Sequence, residues 1–226
     1  MQSHFQKDLA ELKEKLLTMA SLAGNSVRNS IKALVDRDDD LARQVQEDDN
    51  KLDQLEVEID EQAIILLSHA PLASDLRFIT MAMKISHALE RVGDEATTIS
   101  RRSLELSQEP QLKPYVDIPR MAGIALDMLR ACIHAFVEGN AQEARDVIPR
   151  DKEVDAINKQ LHRELASYMV EKPNTITRCL HLMTISKSIE RIADHATNIA
   201  EEVVYVQEGR DIRHQIRKAT PPVGPA

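Results

Sequence analysis

The chain has 226 residues, 42% hydrophobic and only 3% aromatic, with no Trp, 6 Gly and a formal charge of −8. This balance argues against a general nucleic-acid binder, because phosphate neutralisation needs a basic face. It also leaves too few aromatics for a typical β-sandwich, whereas Leu, Ala, Glu, Lys, Arg, Ile and Met are the residues of helices.

Phe5, Leu9, Leu12, Leu16, Met19 and Ala23 recur at steps of four and three, the spacing of one helical face. The register slips near Gly24 and resumes with Val27, Ile31 and Leu34. The acids of "DRDDD" offer an N-cap to a second helix carrying Leu41, Val45, Leu52, Leu55, Ile59 and Leu66. Pro71 interrupts, and Ser74 or Asp75 can cap a third helix that runs to about Leu106. "QEPQLKPYVDIP" then breaks the pattern with three prolines. Beyond it the plan restarts: a helix to about Val137, a stop at Gly139, and "NAQE" as a capping box with Asn140 and Glu143. A long helix reaches about Lys172, and Asn174 caps a last one ending near Gly209. The predicted organisation is all-α: residues 1–107 as a first antiparallel three-helix bundle, 108–118 as linker, 119–209 as a second bundle and 210–226 as a disordered tail.

The two halves are copies. "ERVGDEATTIS" from Glu90 matches "ERIADHATNIA" from Glu190, and "IKALVDRDDDLARQVQEDDNKLD" from Ile31 matches "IHAFVEGNAQEARDVIPRDKEVD" from Ile133. Stepping about 100 degrees per residue puts Ser86, Glu90, Asp94 and Thr97 within about 40 degrees of one another beside an apolar stripe. Ser186, Glu190, Asp194 and Thr197 repeat that polar ribbon. Asp49 with Asp53, and Asp151 with Asp155, form further i, i+4 acidic pairs on the helices expected to pack alongside. Carboxylates so spaced repel by roughly 0.2–0.5 kcal/mol per pair. A patch of four therefore either stays solvated or binds hard and intermediate cations, with a nearby His widening the choice towards zinc.

Other chemistry is missing from the sequence. There is no glycine-rich phosphate loop, no nucleophile elbow and no ExxH pair of the kind di-iron bundles use. Of the eight His, only His195 stands beside the ribbon, while Met81, Met83 and Met183 read as core. Cys132 and Cys179 lack CxxC spacing and read as core thiols of a reducing compartment. No signal core opens the chain, and no apolar run nears the roughly 18–20 residues that span a bilayer. A soluble, cytoplasmic protein is expected.

The doubled "ERVGDEATTIS" and "ERIADHATNIAEEV", with "HFQKDLAELKEKLLTM" and "PLASDLRFITMAMKISHALERVGDEA", resemble the PhoU family of phosphate-specific transport regulators. The likeness covers almost the whole chain. It implies a non-enzymatic cytoplasmic regulator that forms a homodimer or another homo-oligomer. The implied partners are the ATPase subunit of the phosphate ABC transporter and a phosphate-sensing histidine kinase, with no nucleic acid and with membrane contact only through partners. It also implies multinuclear clusters of iron, zinc or another divalent metal on Glu90 with Asp94 and on Glu190 with Asp194. Asp49, Asp53, Asp151 and Asp155 match the acidic pattern of the facing helices. The chain departs from the family pattern at Glu95, where His is favoured, at Thr98, where Asn is favoured, and at Ala193, which replaces a Gly. A metal-free structural or chaperone-like helical protein, or a metal-dependent enzyme built on the carboxylates, are the alternatives.

Overall fold

The computed structural model describes residues 2–69, 72–209 and 212. Pro71 and, apart from Ile212, the expected tail from 210 to 226 lie outside the described residues; Ile212 itself is buried. The helices are α1 (Gln2–Asp36), α2 (Asp39–Asp48), α3 (Asn50–Leu67), α4 (Ala73–Ser107), α5 (Asp117–Glu138), α6 (Ala141–Val147), α7 (Asp151–Glu171) and α8 (Ile176–Glu208). No strand occurs among the described residues.

Several stops and starts follow from local chemistry. Asp38 Oδ1 accepts from the Leu41 amide to cap α2, and Asn140 Oδ1 accepts from the Gln142 and Glu143 amides to cap α6. Gly139 and Gly209 close α5 and α8 with φ of 64° and 69°, in the left-handed region that glycine enters without a Cβ penalty.

α1 runs unbroken through the register slip at Gly24, because one glycine in a helix costs only about 1 kcal/mol and packing outweighs it. Three expectations are corrected. The second helix of each repeat is broken: at Asp49 in the first, and at a 3-10 turn, Ile148–Arg150, in the second. Pro149 cannot donate within a continuous helix. At Asp49 the break starts a new helix beside a run of acids, where the positive end of its dipole favours them. Neither Ser74 nor Asp75 caps α4, whose N-cap is Leu72 with no side-chain bond. Asn174 caps nothing, lying in the 3-10 turn Pro173–Thr175; there Thr175 Oγ1 donates to the carbonyls of Tyr168 and Lys172, at the end of α7.

The packing places α4 and α8 at the centre. α4 packs on α1, α2, α3 and α8, and α8 packs on α4, α5, α6 and α7. The two run antiparallel: Lys84 Nζ reaches Glu202 Oε2 at 3.0 Å, and further along α4 Glu95 Oε1 meets Arg191 Nη1 at 3.1 Å. Behind them α1 packs on α5, with Lys13 Nζ donating to the Val137 carbonyl at 2.7 Å. Ala82, Ile85, Leu89, Val92, Ala96 and Ile99 of α4 are at most 1% exposed, as are Leu182, Ile185, Ile189, Ile192, Ala196 and Ile199 of α8. Each Val, Leu or Ile among them contributes about 1.5–3 kcal/mol on full burial. The tandem three-helix plan is therefore present, and its two cores are joined into one hydrophobic cluster. Cys132 and Cys179 sit in that cluster as free thiols, and burial pushes the Cys132 thiol far above its ordinary range.

Candidate functional site

A central helix with four packed neighbours has little free surface, and this decides what becomes of the polar ribbons. Ser86, Glu90, Asp94 and Thr97 do share one line of α4, but its two ends are buried. Ser86 turns its hydroxyl back to donate to the Met83 carbonyl. Between those ends the Glu90 side chain is 14% exposed and Asp94 is 47% exposed. Arg91 lies beside both, Nε at 3.2 Å from Glu90 Oε2 and Nη1 at 2.9 Å from Asp94 Oδ2. The expectation of an outward ribbon thus holds for Asp94 and only in part for Glu90.

The corner between α2 and α3 brings more acid to this spot. A Cβ at Gly93 would stand 2.8 Å from Asp49 Oδ1 and 2.5 Å from Leu52 Cδ1, so Gly93 is what lets the corner lie against α4. Burial pushes the Asp49 carboxyl above its ordinary range; the Thr97 hydroxyl pulls it back, while Asp53 and Asp94 push it further up. The Glu90 carboxyl is raised too, first by burial and then by Asp94, with Arg91 opposing and Glu56 adding to the rise. Asp94 therefore acts on both Asp49 and Glu90, although no three of Asp49, Asp53, Glu90 and Asp94 bring ligand atoms within 4.8 Å of one another.

The second repeat answers the same pattern differently. Lys187 Nζ contacts Glu190 Oε2, and Lys159 Nζ lies 3.8 Å from Asp155 Oδ2. Asp151 opens α7 directly after the 3-10 turn, and Asp194 is exposed on α8. Ser186 donates to the Met183 carbonyl and lies 3.0 Å from His162 Nε2. Lysines thus neutralise part of a ribbon whose counterpart in the first repeat is served by Arg91.

The two ribbons are not remote from one another. Arg91, Asp94 and Glu95 of α4 and Arg191, Asp194 and His195 of α8 line one open groove of about 690 Å³. Across it Glu95 holds Arg191, while His195 is kept below its usual pKa chiefly by burial, with Glu95 opposing and Arg91 reinforcing. The Glu95 departure thereby supplies a counter-charge in a groove that also holds three arginines, Arg91, Arg101 and Arg191, and an imidazole.

Two residues of this region were not singled out from sequence: Glu56 and His87. His87 Nδ1 lies 2.9 Å from Glu56 Oε1, and ligand atoms of Glu56, His87 and Glu90 all fall within 4.8 Å of one another. No other such group of three occurs among the described residues. The signal was present, since His87 stands three residues before Glu90, one helical turn away on the same face. For a divalent cation of the kind the resemblance implies, the first repeat is a fitting host. Its Asp49 and Glu90 carboxylates are partly desolvated and each is repelled by Asp94, a state that bound positive charge relieves. In the second repeat Lys187 and Lys159 already supply that charge. No helix among the described residues is long and apolar enough to cross a membrane.

Comparison with known proteins places most of the chain among relatives of one family. Residues 16–103 and 118–203 each match the PhoU domain. The phosphate-specific transport system accessory protein PhoU homolog of Pseudomonas aeruginosa is 39% identical over 212 residues, covering 93% of this chain and 88% of the relative. The homolog of the same description from Aquifex aeolicus is 40% identical over 210 residues, covering 92% and 95%. Among solved structures, that of PhoU from Pseudomonas aeruginosa superposes with a TM-score of 0.88 at 38% identity, covering 91% of this chain and all of that one. The phosphate transport system regulatory protein PhoU from Streptococcus pneumoniae gives 0.86 at 28% identity, covering 92% and 98%.

Proposed function

The chain belongs to the PhoU family, and from that premise we propose that it regulates phosphate uptake and the phosphate-starvation response as a non-catalytic cytoplasmic adaptor. Its partners would be the ATPase subunit of a phosphate ABC transporter and a phosphate-sensing histidine kinase. The names of its relatives, accessory proteins of phosphate-specific transport, support the first half of this reading.

The observation that carries the docking role is the shared groove: Asp94 from one repeat and Asp194 from the other stand on the same α4–α8 face. Duplication has therefore produced one composite surface, on which two weak contacts from one partner can act together. Asp49, Asp53, Glu90 and Asp94 would hold divalent cations beside it. Such ions supply positive charge and coordination positions open to an oxyanion or to a partner's carboxylate. The protein's own part is to hold Asp49 and Glu90 partly dry, each beside Asp94, on helices packed against one another.

The test is genetic. Deleting the gene should give phosphatase expression in phosphate-rich medium, and wild-type protein should restore repression where the Asp94→Asn, Asp194→Asn double variant does not. Normal repression in the deletion strain, or full rescue by the double variant, overturns the reading.

A further inference from the structure

We propose that Glu56, His87 and Glu90 form a mixed nitrogen–oxygen site for one divalent transition ion, present in the first repeat only, and that the Lys187 ammonium occupies its place in the second. The inference rests on cation binding by the first repeat and shares Glu90 with the carboxylate cluster, but takes its other two donors, Glu56 and His87, from outside it.

Geometry is the first support. Glu56 stands on α3, and His87 and Glu90 stand one turn apart on α4, so two packed helices fix all three ligands. Zinc–nitrogen and zinc–oxygen bonds of about 2.0–2.2 Å in a tetrahedron put ligand atoms about 3.3–3.5 Å apart. The 2.9 Å from His87 Nδ1 to Glu56 Oε1 and the 4.8 Å envelope of the set bracket that separation, so small side-chain rotations close the site. His87 is 60% exposed, which leaves an entry path and a fourth position for water.

The second support is a buried carboxylate oxygen held by an ion pair alone. Glu90 Oε2 is buried and accepts no hydrogen bond, although Arg91 Nε lies 3.2 Å away. A divalent ion would give this oxygen the close partner it lacks.

The third support is the internal duplicate. In the second repeat the places of Glu56, His87 and Glu90 are taken by Asn158, Lys187 and Glu190. Two carboxylates and a neutral imidazole carry two negative charges, matching a divalent ion. An amide, an ammonium and one carboxylate carry none. There Lys187 Nζ touches Glu190, so the position that calls for an external cation in one repeat holds a covalently attached one in the other. Imidazole selects for ions such as Zn²⁺, Co²⁺ and Ni²⁺ over Mg²⁺ and Ca²⁺.

The experiment titrates full-length, tag-free protein with ZnCl₂ and separately with MgCl₂, and records the visible spectrum with CoCl₂. Circular dichroism confirms that each variant is folded. Glu56→Asn with His87→Lys gives the first repeat the chemistry of the second and should remove one equivalent of Zn²⁺, together with the Co²⁺ absorption of an imidazole-bearing site. The converse pair, Asn158→Glu with Lys187→His, should add one equivalent. His87→Ala should weaken that Zn²⁺ ion by more than about tenfold and leave Mg²⁺ titration unchanged. Zn²⁺ affinity unaltered by His87→Ala overturns the site but leaves the carboxylate cluster standing. No divalent ion bound to wild-type protein overturns both.

Discussion

Replacing Gly93 by Ala measures how tightly the α2–α3 corner is pressed on α4. In an exposed helix interior the change is worth about 0.8–1 kcal/mol of added stability through helix propensity. Gly24 is the internal standard: a Cβ there meets nothing within 4 Å, so Gly24→Ala should realise that gain in full. At Gly93 the same Cβ would stand 2.5 Å from Leu52 Cδ1 and 2.8 Å from Asp49 Oδ1. Leu52 is 1% exposed and cannot simply rotate into solvent. Overpacking of this kind costs about 1–3 kcal/mol, which more than offsets the propensity gain. Gly93→Ala should therefore fall about 1–3 kcal/mol below Gly24→Ala. For a chain of this length that is about 2–4 °C in Tm per kcal/mol. Thermal and urea denaturation followed by circular dichroism, at identical pH and with chelator present, provide the comparison. If both alanines raise Tm by the same amount, the corner has room to spare and the placement of Asp49 against α4 is wrong.

The remaining expectations concern charge and burial. Asp49 and Glu90 have pKa values raised above their ordinary 3.8 and 4.5, so the folded state holds their protons more tightly than the unfolded chain does. Their contribution favours folding below those ordinary values and is lost as pH rises through the raised ones. Asp49→Asn should accordingly stabilise metal-free protein at neutral pH by about 0.5–1 kcal/mol, from relieved repulsion with Asp53 and Asp94, while weakening divalent-cation binding. A lower Tm in chelator would contradict this. Arg191→Ala leaves the Glu95 carboxylate, 12% exposed, without its partner and should cost about 1–2 kcal/mol. Arg130→Ala, which loses only the exposed pair with Asp127, should cost no more than about 0.5 kcal/mol. Equal losses in urea titrations would show that the α4–α8 ion pair is as wet as the other. Cys132 should resist thiol reagents at pH 8 until the protein is unfolded, since its thiol is buried and held protonated; rapid labelling of native protein at Cys132 would count against the joined core.

Much of this was legible in the sequence, for identifiable reasons. The stripes from Ala82 to Ile99 and from Leu182 to Ile199 are buried as their spacing required, because helical period and burial are coupled by geometry alone. The doubled pattern likewise gave two three-helix units. What the spacing could not give is how many neighbours a helix has. Ser86 and Thr97 share a face with Glu90 and Asp94, yet they are covered, because α4 is enclosed by α1, α2, α3 and α8. The breaks at Asp49 and Ile148–Arg150 also escaped, since the apolar period continues across both. Glu56 and His87 were missed because their meeting depends on the α3–α4 register, which no single helix encodes. The asymmetry of the two ribbons, in contrast, was readable as Lys187 opposite His87 and Asn158 opposite Glu56 once the duplicate was aligned residue by residue.

The most direct test of a composite docking face is the affinity of the purified protein for the purified ATPase subunit of a phosphate ABC transporter, the partner proposed above. Affinity is compared between wild type and the Asp94→Asn, Asp194→Asn double variant at two salt concentrations. If the α4–α8 groove is where the partner sits, the double variant should bind at least about tenfold more weakly and lose most of its salt dependence. Unchanged affinity and unchanged salt dependence would place the partner elsewhere on the molecule and leave the doubled acidic face without that role.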